Sequence, residues 1–147
     1  MAKRYKSKIK KGVKKHLGVI IAVLFFAVIF AVGGFLTCKV LTKNDGMFLV
    51  DPEKITHISV GGVYTEEGAM LTGFGRDMSN FIKTEIKNAD GETVAFVDCT
   101  VDTTYNVIYS VASVDEAGDL SLFERLTLEK FDGYILVRTI IVGEGAQ

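Results

Sequence analysis

Twenty consecutive residues, Leu17 to Leu36, carry no charge and no strongly hydrogen-bonding side chain. At a rise of about 1.5 Å per residue this run makes a helix of roughly 30 Å, the thickness of a bilayer's hydrocarbon core. The pattern predicts a membrane-spanning helix over residues 17–36. Ahead of it lies a short basic tail, residues 1–16, and behind it a connection, residues 37–53, with turn chemistry at Asn44-Asp45-Gly46 and before Pro52. So short a connection predicts a domain tethered close to the membrane.

From Lys54 to Gln147 the pattern changes to short β-favouring runs separated by turn residues. Ile55–Val60 is β-branched and ends at Gly61-Gly62. Val63–Thr65 and Ala69–Thr72 flank Glu66-Glu67-Gly68, which reads as a hairpin turn. Between Gly73 and Gly91 two readings compete. Met78, Phe81, Ile82, Ile86 and Ala89 fit one helical face after a cap at Asp77, whereas Asn88-Ala89-Asp90-Gly91 fits a type I turn with a left-handed glycine. The hairpin is the reading adopted, with Ile86 opposite Val94 and Thr84 opposite Phe96, and with room for a short helix at residues 77–81.

Thr93–Val101, Tyr105–Val114, Leu120–Lys130 and Tyr134–Val142 follow as further predicted strands. Asp132-Gly133 suits a two-residue hairpin loop, which sets Leu128 opposite Val137, Leu126 opposite Thr139 and Glu124 opposite Ile141. Leu120, Leu122, Leu126 and Leu128 then share a core face with Ile135, Val137 and Ile141. The opposite face carries Phe123, Leu136 and Ile140 among polar residues, making those three the candidate interaction surface. The expected fold class is one N-terminal transmembrane helix followed by a mainly β, antiparallel, sandwich- or barrel-like domain. An immunoglobulin-type core is disfavoured, since the chain has no tryptophan.

Charge adds topology to this outline. The formal net charge of −1 is split sharply. The tail holds eight basic residues and no acidic one, whereas residues 44–147 hold seven basic residues and all 18 acidic ones, a net charge of −11. Basic residues beside a span stay on the cytoplasmic side, so the N-terminus is expected inside and the domain outside, at the plasma membrane. An acidic domain of this kind repels phosphate backbones, and nucleic acid is set aside as a partner. Within the tail, Tyr5, Ile9, Val13 and Leu17 recur every four residues between lysines, and Lys10, Lys11, Lys14 and Lys15 are placed to meet anionic lipid. Gly12 and the narrowness of the stripe favour an irregular tail. Cleavage near Gly33 would instead release a secreted binding domain. A lipoprotein reading finds a poor match in Phe35-Leu36-Thr37 before Cys38.

Candidate chemistry is sparse. His57 falls in a predicted strand with no nucleophile nearby in sequence, and Cys38, Cys99 and His57 lack the spacing of a zinc site. Asp90, Glu92, Asp98 and Asp102 surround one hairpin but match no calcium loop. Gly73-Phe74-Gly75-Arg76 is too short for a phosphate cradle. Cys99 reads as a small apolar core residue and Cys38 as a separate thiol at the membrane edge. No catalytic, cofactor-binding or metal-binding residue is therefore assigned, and an exported hydrolase is the minor alternative. Small residues four apart in the span, Gly18 with Ala22 and Ala27 with Ala31, allow close helix approach. The partners expected are the lipid bilayer and a protein, either another chain or a second copy.

Overall fold

The computed structural model describes residues 2–143, with side chains from Leu17 onward. Two compact units make up the chain, a long helix and a β-rich domain that starts at Thr42. The helix α1 (Ala2–Leu41) is continuous over 40 residues. Its apolar stretch, Leu17–Leu41, is 25 residues long, near the N-terminus, and none of it is buried by protein. By length and composition it can cross a membrane, where a helix satisfies every backbone polar group internally. Thr37, the first hydrogen-bonding side chain after the apolar run, donates its hydroxyl to the Gly33 carbonyl at 2.8 Å, so it too is satisfied within the helix. The basic segment, expected to be irregular, is helical from Ala2. Lysines are good helix formers, and extending an existing helix avoids the cost of a new nucleus. The side chains of Lys10, Lys11, Lys14 and Lys15 lie outside the described residues.

In the domain the chain forms β1 (Gly46–Leu49), β2 (Ile55–Ile58), β3 (Ala69–Gly73), β4 (Arg76–Asp77), a single 3-10 turn (Ser79–Phe81), β5 (Ile82–Lys87), β6 (Thr93–Val94), β7 (Thr103–Val111), α2 (Leu122–Lys130) and β8 (Ile135–Val142). Two open sheets result, one in the order β1-β3-β4 and one in the order β2-β8-β7-β5-β6. Every pairing is antiparallel except β2 with β8. On β7 the residues Tyr105, Val107, Tyr109 and Val111 point inward, and the register sets Ile140 opposite Tyr105 and Leu136 opposite Tyr109. Met47 and Leu71 of the small sheet and Leu128 and Phe131 from the α2 region join them in one core. Cys99 is buried in this core, and no disulfide joins it to Cys38.

The hairpin at Asn88–Gly91 forms as expected, with Ile86 opposite Val94. Its partner strand stops at Val94, so Thr84 and Phe96 do not pair, and Phe96 is exposed. The short helix near residue 77 is the 3-10 turn. Ala69–Gly73 pairs with Gly46–Leu49 rather than with Val63–Thr65.

The largest correction concerns residues 120–142. Leu122–Lys130 is a helix and not a strand. Ser121 Oγ accepts a hydrogen bond from the Glu124 amide while the Glu124 carboxylate accepts from the Ser121 amide, a reciprocal cap that starts the helix. Gly133 has φ +70 and lies just beyond the helix end instead of closing a hairpin. Freed from that hairpin, β8 pairs with β7 and β2, and its register turns over. Ile140 is 0% exposed and Leu136 packs against the core, whereas Ile135 and Val137 face outward. A shift of one residue in a strand reverses every side chain, so the two predicted faces changed places.

α2 docks where β3 lacks a side chain. A Cβ on Gly73 would collide with Thr127 Oγ1, a buried side chain that donates to the Phe123 carbonyl. Just beyond, Phe74 and Gly75 form the two-residue β3–β4 turn with φ +51 and +71. Phe74 holds this unusual backbone while its ring meets Phe123 edge-on at 5.3 Å. The Gly73-Phe74-Gly75-Arg76 stretch is thus a seat for α2. Gly73→Ala should lower the unfolding free energy by about 1–3 kcal/mol, because the added methyl overpacks the joint. In a Thr127→Ala background the loss should shrink, a non-additivity that urea denaturation of the four proteins of the cycle measures.

Candidate functional site

Arg138 is the lone charge in the otherwise uncharged strand β8, ILVRTIIV, and it points inward with 2% exposure. A guanidinium in that position needs partners. Its Nη2 donates to the Asp51 carbonyl at 2.8 Å, and its Nη1 lies 3.8 Å from Glu66 Oε1. Glu66 also accepts from the hydroxyls of Tyr64 and Tyr109 and, at 2.6 Å, from the Gly68 amide. Residues 64–68, which form no strand until Ala69, are thereby pinned to β7 and β8.

The four groups hold one another in fixed protonation states. Burial pushes Glu66 toward the neutral form, but the two tyrosine hydroxyls, the Gly68 amide and the Arg138 charge outweigh it and lower its pKa. Burial, followed by the hydrogen bond to Glu66, raises both Tyr64 and Tyr109 far above the ordinary tyrosine value. For Arg138 the cost of burial is outweighed by Tyr64 and its other neighbours, and its pKa rises further. None of the four exchanges a proton near neutral pH, as a general acid or base must.

Arg138 also lines a cleft of about 520 Å³ together with Asp51, residues Thr56 to Ser59, and the segment that holds Gly62, Tyr64 and Glu67. Two buried polar atoms of these lining residues have no hydrogen-bond partner, Nε of Arg138 and Oγ1 of Thr56. His57 lies in the same wall, exposed on β2. Sequence reasoning missed Arg138, Glu66, Tyr64 and Tyr109. The available signal was the single arginine in an apolar β run, which the reversed register had placed in solvent.

A second feature is the outer face of the large sheet, which is exposed at Ile55, Ile135 and Val137. By the observed registers it carries Ile55 of β2, Ile135, Val137 and Ile141 of β8, and Ile108 of β7, grading into Lys83, Glu85 and Lys87 of β5. Ile55 is 54% exposed and Ile135 56%. At the Ile135 end an apolar groove of about 430 Å³ is lined by Phe48, Pro52, Leu136 and Val137 among others.

The three predicted surface residues do not come together. Phe123 is exposed on α2 beside Phe74 and Arg76, Leu136 is half-buried at the groove, and Ile140 is in the core. Among the described residues no group of three histidine, cysteine or carboxylate side chains is placed to hold a metal. Asp98 is engaged with Thr100, and Glu92 closes the turn at Asn88. Compared with family models, curated proteins and solved structures, the chain has no significant match.

The buried cluster makes a testable link between pH and stability. Because Glu66 has a lowered pKa in the folded protein, its contribution is complete above its unfolded value near 4.5 and is lost as pH falls through the lower folded value. Glu66→Gln should cost about 2–4 kcal/mol at neutral pH by leaving Arg138 without a counter-charge. Denaturation followed from neutral to acidic pH should also show a flatter acid limb than the parent protein. An unchanged limb would place the acid sensitivity elsewhere.

Proposed function

We propose that this chain is a single-pass membrane protein, N-terminus in the cytoplasm, whose extracytoplasmic domain is a non-catalytic binding or assembly module of the cell envelope. The observation that carries this reading is α1, which presents a predominantly apolar stretch of 25 residues, Leu17–Leu41, with no protein cover and runs without interruption past Gly33. In water that surface would be strongly unfavourable at about 25 cal/mol per Å², and lipid is the solvent that suits it. The excess of basic residues before the span supports the orientation.

A binding role is supported by what the domain leaves open. One face of its main sheet has an apolar half beside a charged half, the composition of an interface core with a polar rim. The titratable groups around Arg138 are locked in their resting states, which suits a scaffold better than a proton-transfer site. The contact surface is therefore assigned to Ile55, Ile108, Ile135, Val137 and Ile141.

Val137→Asp tests this surface. Val137 is 43% exposed, so the change should cost the fold no more than about 1 kcal/mol while placing a charge in the middle of the apolar half. On native gels of mildly solubilised membranes the parent chain should migrate in an assembly larger than the monomer and the variant as the monomer. Identical migration of the two proteins would remove the face as the contact.

A further inference from the structure

β2 is the edge of the large sheet, and its free edge borders the cleft above Arg138. The β8 ladder takes the backbone groups of one set of alternate residues: Lys54 accepts from the Thr139 amide at 2.8 Å and Ile58 from the Gly143 amide at 3.0 Å. In a parallel pair this phase turns the N–H and C=O of Ile55 and His57 away from β8. Among the described residues those groups make no backbone hydrogen bond on that side, and His57 lines the adjacent cleft. Two further polar atoms wait on the inner side, Nε of Arg138 and Oγ1 of Thr56, both buried and both unpartnered. A buried donor without an acceptor is costly, and a site that leaves two such atoms at one cleft gains by receiving a ligand that supplies partners.

We propose that the cleft beside β2 receives an extended peptide segment of a partner protein by strand addition, with alternate side chains directed inward onto Thr56 and Arg138. Main-chain bonds to Ile55 and His57 supply affinity, and the inward positions supply selectivity. The segment has a small hydroxyl or amide side chain inward, because one such group can accept from Nε of Arg138 and also pair with the Thr56 hydroxyl. It is neutral or basic overall. The guanidinium is already matched by Glu66, and the cleft adds Asp51 and Glu67, so its net charge is negative. The occupant is a single extended segment rather than the sheet of a second copy, because residues 62–65 and Glu67 share the lining of the cleft with β2. The inference deepens the binding-module reading by naming a partner class. It uses the edge and inner side of the sheet, so it stands or falls separately from the outer face around Val137.

The test is fluorescence anisotropy of the full-length protein in detergent micelles with a labelled, capped peptide of alternating threonine and lysine, long enough to cover β2. Saturable binding is expected. The same peptide N-methylated at alternate amides, on the edge that would bond β2, should bind about tenfold more weakly or less, and a threonine–glutamate peptide should also lose affinity. His57→Pro removes an edge donor that β8 does not use and should reproduce the loss. If that variant fails to fold, the N-methylated peptide still decides the matter on the native protein. Equal binding of the N-methylated peptide would reduce the contact to charge attraction and overturn the proposal, as would the absence of saturable binding.

Discussion

A buried guanidinium that must be matched on every side organises the domain. Arg138 comes from the middle of β8, and its partners come from elsewhere: a carbonyl at Asp51, a carboxylate at Glu66, and through Glu66 the hydroxyls of Tyr64 and Tyr109. Removing one member of such a set strands a charge in the interior, so the members are fixed together. The irregular stretch before β3 gains its place in this way, without a ladder of its own. Apolar packing alone would not select that path, since Val63 is exposed and Tyr64 only half-buried. The cluster divides the inner side of the sheet into an apolar core around Val107, Ile140 and Leu128 and a polar end that opens into the cleft.

The outline of the molecule was legible in the sequence where the signals were local. An unbroken apolar run gave the long helix, and Asn88–Gly91 gave a hairpin with the expected Ile86–Val94 pair. The mainly β character of the rest, with a short helical turn near residue 79, was also readable. The failure at residues 120–142 has one physical cause. Leu120, Leu122, Leu126 and Leu128 imitate the two-residue period of a strand, but Thr127, Leu128 and Phe131 are the residues that become buried, at helical spacing. The capping pattern Ser121-Leu122-Phe123-Glu124 is the local signal of the helix, and the leucine spacing masks it. Once Asp132-Gly133 was read as a hairpin loop, β8 was paired with the wrong neighbour and its faces were exchanged.

That exchange also hid the candidate site. A register that turns Val137 inward turns Arg138 outward, where a charge asks for no partner and draws no notice. The parallel pairing of β2 with β8 joins residues some eighty positions apart, and no local pattern announces it. Glu66 and the two tyrosines are gathered only by that long-range topology. Ile135, Val137 and Ile141, expected in the core, lie on the outer face of the sheet, and Ile140, expected outside, is in the core.

In the proposed reading, in which α1 anchors the chain, the part-exposed sheet face and the β2 edge serve lateral contacts along a membrane surface. Both proposed contacts use features of the β-rich unit, while the lipid requirement rests on the helix alone. The intact mass of the chain recovered from its native membranes and from the medium tests it directly. The full-length chain is expected in the membrane fraction, whereas a chain beginning near Gly34 in the medium, or a lipid-bearing chain beginning at Cys38, would mean that α1 is not an uncleaved anchor.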